Sequence, residues 1–306
     1  MPKIAIIGLG AMGGPIARNL LNGGHSVTVC DKETERAEEL VAIGAVRSDL
    51  GEITNGAEFV FSVIPRGPVH EEMFLGPEGL VARAAPATLL VDCATSSVEL
   101  ARRIEEESSR RGVDAIDAPL SGGTRGAREG KLTFLVGGKT GPVDRLRAIL
   151  PSVASTVLHV GGPGAGQAAK ICNNMITAGI LAVTCEGFAL AERLGIPAQL
   201  SYDVFSHCSA KSWVLDNHCP VGGVVADAPS SNNYKPGGAA SLLLKDITLA
   251  LNAARENALS VPMTSIAASL YQMLCSRGLG DVDASALIKL ISGTDGELRD
   301  RSKQAG

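Results

Sequence analysis

The 306-residue chain carries 28 Lys+Arg against 32 Asp+Glu, a formal net charge of -4, with 45% hydrophobic and 20% charged residues. That is the balance of one large or two ordinary folded domains and not of a disordered chain. The slight acidity and an aromatic content of 3% argue against nucleic-acid and membrane partners, and no uninterrupted apolar run approaches the roughly 18 residues of a membrane span.

Lys3–Ile7 reads as a first core strand two residues after the initiator, so neither a signal nor a transit peptide is expected. Further strands are expected at Val27–Cys30, Glu58–Ile64, Leu89–Asp92, Val113–Ile116, Thr133–Val136 and Val157–Val160. Helices between them are expected at Met12–Asn22, Thr34–Ala42, Ser97–Ser109 and Pro142–Leu150. This alternation predicts a parallel sheet covered on both faces. After a glycine-rich loop at Gly161–Gly166, Gln167–Leu194 reads as one long helix, stopped by Gly195 and Pro197. It is apolar nearly all round, which predicts burial on several sides. Helices follow at Ala198–His207, Ala239–Ala258, Met263–Ser276 and Ala284–Leu290, with a Pro/Gly/Asn-rich loop over Cys219–Gly238. The fold class expected from this alternation is an α/β domain, residues 1–163, followed by an all-α domain, residues 164–306, with the long helix over 164–194 between them.

Seven cysteines, an odd number without a Cys-x-x-Cys pair, predict reduced and mostly buried thiols in a cytoplasmic protein. The five histidines show no ligand spacing, so no metal is expected.

Gly8-Leu9-Gly10-Ala11-Met12-Gly13 follows a strand and opens a helix. The first glycine serves the tight turn, the second the approach of a pyrophosphate, and the third the packing of helix on strand. Asp31 ends the next strand, placed to bond the adenosine ribose. A carboxylate there repels a 2′-phosphate and favours NAD, with Lys32 and Arg36 as the opposing feature. Asp117-Ala118-Pro119-Leu120-Ser121-Gly122-Gly123 lies at a strand's C-terminal end, where its N–H groups and Ser121 can hold a carboxylate; a plain connection is the alternative. In Gly164-Ala165-Gly166-Gln167-Ala168-Ala169-Lys170-Ile171-Cys172-Asn173-Asn174, Lys170 and Asn174 project from one helical face. The positive end of the helix dipole disfavours a cation at Lys170, which suits an acid/base group. Lys245-Asp246, read alone, is a solvated charge pair.

Together these four segments resemble the β-hydroxyacid dehydrogenases in order and spacing over essentially the whole chain. The C-terminal half, with Asn217–Val221 and Ala228–Tyr234, most resembles the 3-hydroxyisobutyrate dehydrogenase branch. The resemblance implies Lys170 as catalytic acid/base and Asn174 as the substrate-orienting residue. It implies a substrate carboxylate held by Ser121, Gly122 and Gly123. Ile64, Pro65 and Thr95 would line the cofactor near the nicotinamide, Lys245 would contact it, and Asp246 would support the substrate site. It further implies an α/β Rossmann-type dinucleotide-binding domain joined by a long interdomain helix to the all-α domain, and a homodimer or homotetramer. One departure stands out: where the family usually carries an aromatic residue seven positions before the Lys-Asp pair, this chain has Gly238.

The activity so implied is NAD-dependent oxidation of the primary alcohol of a short 3-hydroxy acid, with 3-hydroxyisobutyrate going to methylmalonate semialdehyde in valine degradation. The alternatives are a serine or 3-hydroxypropionate dehydrogenase, an NADPH-dependent semialdehyde or glyoxylate reductase, and, from another class, a non-catalytic dinucleotide sensor.

Overall fold

The computed structural model describes residues 1–65 and 67–294, and the chain divides into two compact units, Met1–Lys170 and Ile171–Gly306. The first unit alternates as expected: β1 (Lys3–Ile7), α1 (Gly13–Asn22), β2 (Ser26–Cys30), α2 (Thr34–Val41), β3 (Val46–Arg47), β4 (Phe59–Ser62), α3 (Pro68–Leu75), α4 (Leu80–Arg83), β5 (Leu89–Asp92) and α5 (Val98–Arg110). It continues with β6 (Asp114–Asp117), β7 (Leu120–Ser121), α6 (Gly123–Glu129), β8 (Leu132–Gly137), α7 (Thr140–Ile149) and β9 (Ala154–Gly161). Strands β1, β4 and β5 are nearly continuous buried runs, the signature of strands covered on both faces. The two-residue pleat sends Ile4 and Ile6 into one core and Ala5 and Ile7 into another.

Strands β3-β2-β1-β4-β5-β6 lie parallel in that order. This is the dinucleotide-binding arrangement, with the strand order reversing between β1 and β4. Beyond β6 the expectation of a parallel sheet is corrected, because β8 runs antiparallel to β6 and β7. The pairs Asp117↔Gly137, Leu120↔Phe134 and Ser121↔Thr133 keep one register. Strands β6 and β7 are thus two segments of one edge, interrupted at Ala118-Pro119, where proline has no N–H to give to a ladder. The return over residues 122–131 is shorter than the dozen or so residues of a parallel crossover, so β8 comes back beside the strand just left. Strand β9 then pairs parallel with β8.

Helix α8 (Ala165–Arg193) runs without a break from the first unit into the second. There α9 (Ala198–His207), α10 (Trp213–Asn217), α11 (Ala240–Glu256), α12 (Pro262–Leu274) and α13 (Leu287–Ser292) follow, and the described residues contribute no strand beyond an isolated Ala239↔Asp283 bridge. Their core gathers Leu181, Cys185, Phe188, Tyr271, Leu274 and Leu287. The expected burial of α8 on several sides is corrected. Ile176, Val183 and Leu190, seven apart on one face, are 57%, 59% and 61% exposed. The helix carries two apolar faces, and among the described residues only the one bearing Ala178, Leu181, Cys185 and Phe188 is packed. By length and composition α8 is the one described helix that matches a membrane span, although Asn173 and Asn174 interrupt its apolar sequence. The cysteine expectation is corrected as well: all seven are free, but only Cys93, Cys185 and Cys219 are buried, and Cys172 and Cys208 are exposed.

The β1–α1 turn depends on missing side chains. Gly8 has φ +87°, and a Cβ there would lie 2.7 Å from both Ile64 Cγ2 and the Val63 carbonyl oxygen. At Gly13 a Cβ would sit on the Gly8 carbonyl oxygen. That obstacle is backbone and cannot swing away. Gly13→Ala is therefore expected to cost about 3 kcal/mol or more, at the upper end of overpacking, read as a lower Tm together with weakened NAD binding by fluorescence titration.

Candidate active site

The C-terminal end of β1 holds the first part of the site. No side chain caps the start of α1, so its first-turn donors and positive dipole end are available for an anion. A Cβ at Gly10 would meet nothing within 4 Å, which leaves backbone open to an approaching anion. Asp31 is tied into the same turn: one carboxylate oxygen accepts the Leu9 N–H at 2.5 Å, the other the Glu33 N–H at 2.9 Å. Arg36 turns onto Asp31 at 3.7 Å and Glu33 at 3.0 Å. A cavity of about 510 Å³ opens beside the turn, lined among others by Gly10, Ala11, Arg18, Arg36, Glu39 and Arg128, three guanidinium groups against one carboxylate, a net cationic lining that suits a dinucleotide's phosphates. Ile64 packs against Gly8, and Pro65 beyond it is exposed. The residues present fit a bound dinucleotide.

A second group lies at the ends of β5 and β6. Thr95 is half-buried in the loop after β5. The buried amide of Gln167, in the first turn of α8, spans that loop: its oxygen accepts the Ser96 N–H at 2.9 Å and its nitrogen donates to the Ala94 carbonyl at 2.7 Å. Asp117, 4% exposed, ends β6 and caps α8. Its oxygens accept the Gly164 N–H at 2.7 Å and the Gln167 N–H at 2.8 Å. Asp92, paired in register with Asp117 across β5–β6, accepts hydrogen bonds from buried His70 at 2.9 Å and from the Ala94 N–H at 3.0 Å. Lys170, half-buried, follows Gln167 by three residues on α8. Ser121 ends β7, and Gly122 and Gly123 follow with φ of +115° and +61° at the start of α6.

In the second unit, Asn174 is half-buried, and its amide nitrogen donates to Asp246 on α11 at 2.7 Å. Lys245 stands beside Asp246 on that helix. The structure thus joins Asn174 with Asp246, Asp31 with the Gly8–Gly13 turn, and Thr95 with the start of α8. Sequence reasoning gave no site role to Asp92 or His70 and quoted Asp117 and Gln167 only as parts of motifs. The available signal was a carboxylate ending each of two successive core strands, Asp92 and Asp117, ahead of a glycine-flanked helix start.

Comparison with known proteins places these segments. Residues 3–161 match the model of the NAD-binding domain of 6-phosphogluconate dehydrogenase, and residues 164–291 that of the NAD-binding domain of NADP-dependent 3-hydroxyisobutyrate dehydrogenase. The chain is 39% identical to the 3-hydroxyisobutyrate dehydrogenase of Pseudomonas aeruginosa over 96% of its own length and 100% of that protein's. It is 38% identical to an NAD-dependent L-serine dehydrogenase of the same organism, over 97% and 100%. The solved structure of Mycobacterium tuberculosis 3-hydroxyisobutyrate dehydrogenase with L-serine superposes with a TM-score of 0.88 at 36% identity, covering 95% of this chain and 99% of that one. The chain belongs to the 3-hydroxyisobutyrate dehydrogenase family. It is an oxidoreductase acting on a CH–OH group, with NAD as cofactor.

At the position where this chain departs from the 3-hydroxyisobutyrate dehydrogenase pattern, Gly238 is held by its backbone. Its N–H and that of Gly237 donate to the buried Asp283 carboxylate at 2.9 and 3.0 Å. Burial would raise the Asp283 pKa, but His218 and the hydrogen bonds from Ser285 outweigh it and hold the carboxyl below its ordinary value. A Cβ at Gly238 would enter open space, and φ there is not left-handed. Tyr234 does not fill that space: it is 5% exposed, with its hydroxyl donating to the Pro220 carbonyl at 2.8 Å. Trp213 stays 58% exposed against His218.

Burial pushes the Asp117 carboxyl up to about 6, over the opposing pull of the two N–H bonds and with a smaller push from Asp92. Because the folded pKa lies above the ordinary 3.8, the folded chain binds a proton between those values that the unfolded chain does not. The stabilisation from this group is present in acid and is lost as pH rises through about 6. Asp117→Asn, which does not titrate, provides the reference. Wild type is expected to gain about 1 kcal/mol on the variant between pH 8 and pH 5, read from denaturant midpoints at each pH.

Proposed function

We propose that the chain oxidises the primary alcohol of a short 3-hydroxy acid to its semialdehyde, with 3-hydroxyisobutyrate as the preferred substrate, and prefers NAD to NADP. The observation that carries the reading is the set Ser121–Gly123, Lys170 and Asn174, the family's carboxylate loop, proton site and orienting amide. Of these, Lys170 and Asn174 stand four residues apart on one unbroken helix, and Asp246 fixes the Asn174 amide. In this reading Ser121 and the N–H groups of Gly122 and Gly123 hold the substrate carboxylate. Asn174 orients the hydroxyl, and neutral Lys170 takes the hydroxyl proton at Nζ; in reverse, the lysine ammonium returns it. Bound NAD supplies the hydride acceptor. Alignment and the proton site are the protein's contribution.

L-Serine is the second reading, since it shares the carboxylate and the primary alcohol and differs at C2. The named activity of the Pseudomonas aeruginosa relative and the ligand of the Mycobacterium tuberculosis structure favour it. The exposed stripe of Ile176, Val183 and Leu190 supports a homo-oligomer formed through the helical unit.

Two measurements test the proposal. Lys170→Ala is expected to lower kcat by about 10²–10⁴, the range for a lost acid/base group, with little change in NAD affinity; retained turnover removes the lysine from the mechanism. NAD should exceed NADP in kcat/KM by about tenfold or more, which requires only ~1.4 kcal/mol. Asp31→Asn should narrow that gap. It is a better probe than a serine because an amide oxygen still accepts the Leu9 N–H.

A further inference from the structure

Of the two glycines at 164 and 166, Gly166 admits Asp117 and Gly164 admits the start of α5. A Cβ at Gly166 would stand 2.8 Å from Asp117 Oδ2 and collide with the Leu135 carbonyl oxygen, and one at Gly137 would stand 2.5 Å from Asp117 Oδ1. A Cβ at Gly164 would meet the Val98 side chain at 2.9 Å and its carbonyl oxygen at 3.0 Å. The start of α8 is therefore pressed onto the ends of β6 and β8 and the start of α5, with one carboxylate at the point of contact.

We propose that Asp117 is a positioning residue for the oxidation: its carboxylate clamps the first turn of α8 through the Gly164 and Gln167 N–H groups, and so fixes Lys170 three residues beyond Gln167. Through the Gln167 amide the same clamp holds the loop that carries Thr95. The inference rests on the reading of Lys170 as the proton acceptor. It requires the ionised carboxylate, because a protonated Asp117 would set a hydroxyl donor against one of the two N–H donors.

Among the described residues, the charged and titratable groups near Asp117 come from the elements packed against it. From β5 comes Asp92, with His70 of α3 behind it; from α5 comes Arg102, whose stem lies beside Gly164. From β9 comes His159, whose ring nitrogen lies against the Gly138 and Gly161 carbonyls at 2.9 and 3.0 Å. On α8 itself the charged neighbour is Lys170. Burial raises the Asp117 carboxyl to about 6.

The test is a double-mutant cycle on the rate of hydride transfer at pH 8, measured with saturating NAD and 3-hydroxyisobutyrate, or L-serine if that is the faster substrate. Asp117→Asn is expected to slow wild type about tenfold or more and to slow the Lys170→Ala background less than about twofold, because the clamp acts through the lysine. An equal loss in both backgrounds, or no loss in either, overturns the proposal. A Lys170→Ala protein with near wild-type rate overturns the lysine reading itself, which the cycle reports separately. The pH profile of wild type decides the matter even if the variant does not fold. Loss of the proton acceptor alone gives log(kcat/KM) an acid limb of slope 1, whereas protonation of a clamp worth about tenfold steepens that limb near pH 6 and adds about one further log unit of loss. A limb that stays at slope 1 down to pH 5 overturns the proposal.

Discussion

One buried carboxylate holds the working end of the first unit together. Asp117 ends β6, lies 4% exposed, and receives the first N–H groups of a 29-residue helix. A helix start driven against a sheet leaves orphan donors in a dry place, and each would cost on the order of 1–3 kcal/mol if unpaired. The carboxylate answers two of them. The glycines at 137 and 166 clear the room it needs, and Gln167 extends the contact to the loop after β5. Burying an acid this way works against stability at neutral pH, and residues that carry such a cost without contributing to the core are characteristic of functional sites.

The same economy of polar groups recurs elsewhere. Asp31 does not simply face solvent; it is bonded to the Leu9 and Glu33 N–H groups, so the charge proposed to select the cofactor also shapes the glycine turn proposed to hold it. Arg36, the residue best placed to favour a 2′-phosphate, is held between Asp31 and Glu33. In the second unit Asp246 orients Asn174, and Asp283 gathers Gly237, Gly238, Ser285 and His218. Each carboxylate sets a neighbour's direction, which is how short polar side chains become a defined site.

Much of this was legible in the sequence. Continuous apolar runs such as Leu89–Asp92 and the 3.6-residue pattern of Ala198–His207 gave strand and helix with their observed limits. Strands β3 and β7 escaped because two residues carry no period, and the latter hid in a loop motif read for its chemistry. The antiparallel β8 escaped because alternation reports that strands exist and not which way they run. The exposed face of α8 escaped because apolar composition does not say whether the cover comes from the same chain. Most of all, the pairing of Asp117 with residues 164 and 167, and of Gln167 with residues 94 and 96, joins positions about 47 to 73 apart. No local pattern signals such contacts.

The central claim is that this dinucleotide-binding chain turns over short 3-hydroxy acids. The most direct measurement is NADH formation by the purified protein with 3-hydroxyisobutyrate, 3-hydroxypropionate, L-serine and glycerate, each tested at saturating NAD. The account predicts NADH from the series, with the highest kcat/KM on 3-hydroxyisobutyrate. Tight NAD binding with no NADH from any of the four would contradict it.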